Sequence, residues 1–190
     1  MAITEYMFPF PDKALTGHFG KIRTINGKKT PPHRGTDWGV KVGTPIPAIS
    51  KGTVMQVQFS KVLGWTLTHS VIGFDKKVLY VSYCHMDKKP TLKVGAKIAM
   101  GDIIGKSGNT GMSSGPHVHI TLSDTVKGVF YGNVYDVYKY VSEQLENAAQ
   151  VKPEPKKTPV APKVATKPAT VPTPTTKIIY ACPHCKKELK

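Results

Sequence analysis

Gly115-Pro116-His117-Val118-His119-Ile120 is the stretch on which the reading of this chain turns. Gly-Pro signals a turn, and the residues after Pro116 alternate cleanly. Successive side chains of a strand point to opposite faces. His117, His119 and Thr121 therefore share one face, and Val118, Ile120 and Leu122 share the other. The apolar face can anchor in a core, leaving two imidazoles side by side. Neutral imidazole is the commonest protein metal ligand and also the side chain best suited to proton transfer near neutral pH. Taken alone, the pair reads equally as a coincidence on a solvated strand.

Working outward, Pro32-His33-Arg34-Gly35-Thr36-Asp37-Trp38-Gly39 supplies more of the same chemistry. The spacing of His33 and Asp37 would stack them on a helix, but the flanking prolines and glycines argue for a turn entering a strand. A turn can also bring both side chains to one point. His, Asp and a distant His make three N/O ligands, the composition of a catalytic zinc site that leaves its fourth position to water. Tyr83-Cys84-His85-Met86, ending an apolar run, adds a further histidine.

In this order, these stretches resemble the lysostaphin/LytM-type zinc endopeptidases of the M23 family. That pattern is His-x-x-x-Asp, a later lone His, then His-x-His after a Gly-rich run. Here it is accompanied by Phe19-Gly20-Lys21-Ile22-Arg23, Gly43-Thr44-Pro45, Gly52-Thr53-Val54 and the run from Gly95 to Gly115. The likeness extends from Gly17 to Leu122 and does not reach the C-terminal segment. It implies a mainly β fold, an antiparallel β-sheet groove of the lysostaphin/LytM (duplicated hybrid motif) type. It implies Zn2+ as cofactor, with His33, Asp37 and His119 as ligands. His117 matches the general base, and His85 the second catalytic histidine, which orients water or stabilises the transition state. The physics agrees: zinc lowers the pKa of its bound water from 15.7 to about 7, and a neighbouring imidazole can take the proton and return it to the leaving amine.

Composition bounds the partners. The formal charge of +15 asks for an anionic setting. The cations are nearly all Lys, the arginines being Arg23 and Arg34 alone, whereas reading of base edges favours Arg. Specific nucleic-acid binding is therefore not expected. Attraction to anionic cell-wall polymers fits, as does a merely solubilising surface. Three cysteines, Cys84, Cys182 and Cys185, do not make a disulfide framework. The stretch Met1 to Pro11 has no basic n-region and no long apolar run, so neither a secretory signal nor a membrane span is expected.

Along the chain, Thr53 to Phe59 alternates Met55, Val57 and Phe59 against Gln56 and Gln58 and reads as a half-buried strand. Trp65 to Val71 and Val78 to His85 read as further strands. His85 has the parity of Leu79, Val81 and Tyr83 but sits at the strand's end, where a side chain can leave the core. His69 falls on an apolar face and reads as a hydrogen-bonded core histidine. Cys84 reads as a small buried hydrophobe pointing away from His85, a poor nucleophilic dyad. The dense glycines from Gly95 to Gly115 predict tight hairpins rather than a phosphate loop, since no Gly-Lys-Ser/Thr follows. Residues 1–132 are thus expected to form the endopeptidase domain. The span 133–150 should be an amphipathic helix packed on it, capped by Asn133 and Asp136. Residues 151–177, rich in Pro, Lys and Thr, read as a disordered linker. Residues 178–190 carry Cys182-Pro183-His184-Cys185, which resembles half a zinc ribbon. A closed second metal site there needs ligands from elsewhere, such as a second copy in a weak homodimer; a redox pair or a bare remnant are the competing readings.

The family resemblance implies hydrolysis of peptide bonds in peptidoglycan stem peptides or cross-bridges. A route to the wall would run from the host cytoplasm through a holin-type pore, or aboard a virion, as for a bacteriophage endolysin or virion-associated lysin. The alternative is an inactive M23 fold that binds wall or activates another hydrolase; such proteins lose metal ligands, and here every ligand position is filled.

Overall fold

The computed structural model describes residues 5–25, 27–73 and 75–150. The 151–177 linker, the Cys182/Cys185 knuckle and the dimer and wall contacts expected of them lie outside the described residues.

The described residues form a mainly antiparallel β-sheet structure with one α-helix and a short 3-10 turn at Asp12–Ala14. In chain order the strands are β1 (Leu15–Gly17), β2 (Thr24–Ile25), β3 (Lys28–Lys29), β4 (Thr36–Trp38), β5 (Pro45–Pro47) and β6 (Gly52–Ser60). They continue with β7 (Gly64–Ile72), β8 (Val78–Met86), β9 (Lys97–Ile98), β10 (Ile103–Lys106), β11 (Val118–Ser123) and β12 (Val134–Tyr135), before the helix α1 (Val137–Gln150). The main sheet has the order β1-β4-β11-β8-β7-β6-β9, with β12 joining β11 beyond the end of β4. β10 pairs with β5, and β2 with β3, in two small ribbons. β11, the strand of His-x-His, is flanked by β4 on one side and β8 on the other, so the three histidine-bearing segments are neighbours.

The core lies on the face that takes Val118, Ile120 and Leu122, all wholly buried. Leu67, Val81, Tyr83, Ile46 and Val54 pack with them. His69 belongs to this core, as its parity predicts. Its Nδ1–H donates to the Ser70 carbonyl at 3.2 Å, and its Nε2 accepts from the Tyr83 hydroxyl at 3.1 Å. Tyr83 in turn accepts the Ile49 N–H at 2.9 Å. Every polar atom of this buried pair is used, which is what makes burial tolerable.

Two local expectations change. The alternation in β6 placed Met55, Val57 and Phe59 together on a buried face. Instead Met55 and Phe59 are exposed and Val54 is buried. The register shifts between Val54 and Gln56, and β9 pairs only with Gly52 and Thr53, so the rest of β6 is an outer strand. The helix starts at Val137 rather than at Asn133, because Val134 and Tyr135 pair with Ser123 and Leu122. Asp136 is the cap, its Oδ1 accepting the Tyr138 and Lys139 N–H groups at 3.0 and 3.2 Å. Asn133 bonds Asp124 instead. Val137 and Val141 of the helix are buried, and Tyr138 lies against Phe8. Among the described residues no helix is long and apolar enough to cross a membrane.

Candidate metal and catalytic centre

Register builds the site. His119 pairs directly with Asp37 across β11 and β4, on the sheet face opposite the core. The chain enters β4 through Gly35, where a Cβ would sit 2.5 Å from the Ile120 carbonyl and 2.6 Å from His119 Nε2. Only glycine lets the His33 segment come this close. His33 then lies over the pair: one nitrogen each of His33 and His119 and one Asp37 oxygen fall within 4.8 Å of one another. His33 Nε2 is 3.0 Å from His119 Nδ1, and Asp37 Oδ1 is 3.1 and 2.9 Å from the two.

The remaining nitrogens fix what these atoms are. His33 Nδ1 meets the His18 carbonyl at 2.9 Å and must donate to it. His119 Nε2 lies 3.0 Å from Thr121 Oγ1, whose own hydrogen goes to the Arg34 carbonyl at 3.1 Å, so this nitrogen also carries its proton. In neutral rings, His33 Nε2 and His119 Nδ1 are then both lone pairs, facing each other and a carboxylate oxygen. Three acceptors at hydrogen-bond distance repel unless a cation sits between them. The donor set fits Zn2+, and the outer hydrogen bonds that hold each ring are those typical of metal-bound histidine.

Asp37 uses its other oxygen elsewhere. Arg23 Nη2 donates to Oδ2 at 2.9 Å, leaving Oδ1 for the centre. Gly17 makes room for this pair: a Cβ there would be 2.3 Å from Oδ2 and 2.7 Å from the guanidinium. Burial alone would raise the Asp37 pKa, but in the metal-free cluster a second proton on His119 or His33, donated to Oδ1, overcomes it and holds the carboxyl far below the usual range. Burial opposes charging of His33, yet Asp37 outweighs it and raises that imidazole's pKa. At the buried His119 desolvation prevails and lowers it. Metal uptake by such a cluster is coupled to proton release.

His117 and His85 line the same cleft, of about 260 Å³. His117 Nδ1–H donates to the Gly115 carbonyl at 2.8 Å, with Ser113 Oγ at 3.1 Å, and its Nε2 faces Asp37 Oδ1 at 3.8 Å. It is beside the ligand cluster but not within it. His85 Nδ1–H donates to the Thr110 carbonyl at 2.8 Å, leaving Nε2 as an acceptor. The two rings are 4.7 Å apart, centre to centre. Burial lowers the His85 pKa to about 4, so near neutrality this ring accepts hydrogen bonds. That favours orientation of a water over donation to an oxyanion. Cys84 is wholly buried and its thiol is pushed up to about 12, which keeps it inert.

The structure thus brings His33, Asp37, His119, His117 and His85 together. Arg23, Thr121 and Thr110 gain supporting roles that the sequence reading did not assign. Thr121 was placed on the histidine face and given no role; a polar β-branched residue two positions after a ligand is the signal that could have found it.

The peptidase family M23 profile matches residues 31–141 of this chain. An uncharacterized metalloprotease of Buchnera aphidicola subsp. Baizongia pistaciae is 41% identical over 48% of this chain and 23% of its own length. Peptidoglycan DD-endopeptidase ShyA of Vibrio cholerae is 34% identical over 50% of this chain and 21% of its own length. The chain therefore spans under a quarter of these curated relatives. Among solved structures, the catalytic domain of lysostaphin from Staphylococcus simulans superposes with TM-score 0.54 at 29% identity, over 67% of this chain and 90% of that one. A mutant catalytic domain of the prophage-encoded M23 protein EnpA from Enterococcus faecalis gives TM-score 0.54 at 31% identity, over 67% and 91%. The profile spans more than half of the chain and contains every residue of the ligand cluster, and the chain belongs to peptidase family M23.

Proposed function

We propose that the chain is a zinc-dependent endopeptidase hydrolysing peptide bonds in bacterial peptidoglycan, in stem peptides or their cross-bridges. The observation that carries this reading is the convergence of three ligand atoms beside two imidazoles whose Nδ1 atoms are anchored on backbone carbonyls. The names of similar proteins, a peptidoglycan DD-endopeptidase and lysostaphin, support the substrate class. The inactive-fold alternative would need a lost ligand, and none is lost.

His33, Asp37 and His119 would hold the zinc, which when bound acidifies a water and polarises the scissile carbonyl. His117 is placed to take the water's proton at Nε2: its Nδ1–H is fixed on the Gly115 carbonyl, so the basic nitrogen points at the centre. The same nitrogen can return that proton to the leaving amine. His85, held by Thr110, accepts a hydrogen bond from the opposite side and orients the attacking water. Arg23 keeps Asp37 in place. A bacteriophage endolysin or virion-borne lysin, with the Lys-rich 151–190 segment holding it to anionic wall polymers, is the setting we propose on sequence grounds.

The test is turbidity loss of purified walls with and without chelator, restored by added zinc, with mass spectrometry of the released peptides to identify the bond. Zinc-loaded protein that leaves walls intact and releases no peptide refutes the reading.

A further inference from the structure

One wall of the cleft is zipped by backbone bonds. The Met112 N–H donates to the Val62 carbonyl at 2.8 Å, and a Cβ on Gly111 would lie 2.3 Å from the Gly64 nitrogen. The opposite wall is the 124–132 loop, which contributes Val129 and Phe130. One side chain grips this loop. Arg34 Nε donates to the Val129 carbonyl at 3.0 Å, and its Nη2 to the Gly128 and Gly132 carbonyls at 3.0 and 2.9 Å. Three carbonyls aimed at one planar guanidinium define the loop's position in a way a Lys ammonium would not. Phe130, so placed, is 47% exposed while lining the cleft. A large aromatic ring kept half out of the core, on a loop held by a dedicated clamp, is built to touch something else.

We propose that Phe130 is a substrate-contacting, specificity-determining residue and that Arg34 is its positioning residue. This rests on the reading that a peptide occupies the cleft. Phe130 on one side and Val62 and Met112 on the other give the slot apolar jaws above a histidine floor. Such jaws favour an uncharged small residue, an alanine methyl or a glycine methylene, at the position between them, and disfavour a free carboxylate there.

The test uses the full zinc-loaded chain, small synthetic stem and cross-bridge peptides, and the variants F130A, R34A, R34K and F130A/R34A. F130A should raise KM about tenfold with kcat nearly held and zinc content unchanged. R34A and R34K should do the same and also speed hydrogen exchange across residues 124–133. The double variant should be no worse than R34A, because the second change removes a contact the first has already misplaced. An unchanged KM in F130A overturns the contact. Loss of zinc, or a fall in kcat at constant KM, in R34A would assign Arg34 to the metal centre through its neighbours His33 and Thr121, and overturn the positioning role. If wild-type protein cleaves no such peptide, the peptidase reading falls and the substrate contact with it. Wild-type loop exchange in R34A refutes the clamp independently.

Discussion

Replacing Thr121 by Val keeps the side chain's shape and removes one oxygen. That oxygen accepts the His119 Nε2–H at 3.0 Å and donates to the Arg34 carbonyl at 3.1 Å. It is wholly buried, so no water replaces it. Two consequences follow. First, His119 loses the bond that fixes its tautomer: without an acceptor at Nε2, the proton is no longer held away from Nδ1, the atom that faces Asp37 and His33. Loss of such an outer partner typically costs 10–100-fold in metal affinity, or roughly 1.4–2.7 kcal/mol. Second, a buried N–H is left unpaired, which costs roughly 1–3 kcal/mol of folding stability. The assay is zinc competition against a chromogenic chelator near pH 7.5, on chains ending at Gln150 so that Cys182 and Cys185 do not contribute. Urea unfolding of the zinc-free forms supplies the second number. Thr121→Ser retains the hydroxyl and should bind zinc within a few-fold of wild type. If Thr121→Val binds zinc as tightly as Thr121→Ser, the tautomer argument is wrong.

Elemental analysis of the same truncated chain should show one zinc, lost in His119→Ala; zinc persisting at parity there would remove that ligand. His117→Ala should keep the metal and lose about 10²–10⁴-fold in turnover of a soluble peptide; loss of metal instead would mean the two histidines are interchanged. Gly17→Ala should push apart the Asp37–Arg23 pair and weaken zinc binding about tenfold or more, visible by chelator competition; wild-type affinity would show that the pair relaxes freely. His69 gives a pH effect: its pKa is about 4 when folded, against 6.5 for an ordinary histidine. The unfolded chain therefore binds the extra proton between those values. Stability from this site is full above 6.5 and falls as pH drops, by about 2 kcal/mol at pH 5. Urea midpoints at pH 5 and pH 7.5 should show a loss smaller by this amount in His69→Gln than in wild type, since His85, also lowered to about 4, contributes its own loss to both; equal losses would reject it.

Much of the site was legible because it rests on strand parity and on residue types with few other uses together. His117 and His119 could be placed on one face from alternation alone, and the glycines around His33 and Asp37 argued correctly against a helix. The outer strand β6 was misread because alternation reports which residues differ in polarity, not which side meets a core. A register shift at Val54 and the brevity of β9 decided that, and both are matters of pairing between distant segments. The helix began later than its period suggested for the same reason: Val134 and Tyr135 found partners on β11. Arg23 and Arg34 were invisible as supports because their partners, the Asp37 carboxylate and three loop carbonyls, are fixed only by tertiary folding.

His85 shows how far parity reaches. Its parity with Leu79, Val81 and Tyr83 points it into the core, and reaching the cleft was expected of a residue at the strand's end. The strand does not end there; it runs on to Met86. Across β7 and β8, Trp65 pairs with Met86 and Leu67 with Tyr83, so two steps on one strand face three on the other. The extra residue is a bulge, and His85 carries it with φ +60, a left-handed conformation costly for a residue with a Cβ. Its N–H bonds the Leu63 carbonyl and its ring bonds the Thr110 carbonyl, and these two contacts hold the bulge open. Cys84, which pairs with His119, shares the face of that ligand, so plain alternation after it would send His85 inward. The strain is thus spent on turning the His85 imidazole back to the cleft beside the ligand cluster. His85→Gly would relax the backbone but remove both the Thr110 contact and the ring that the cleft requires.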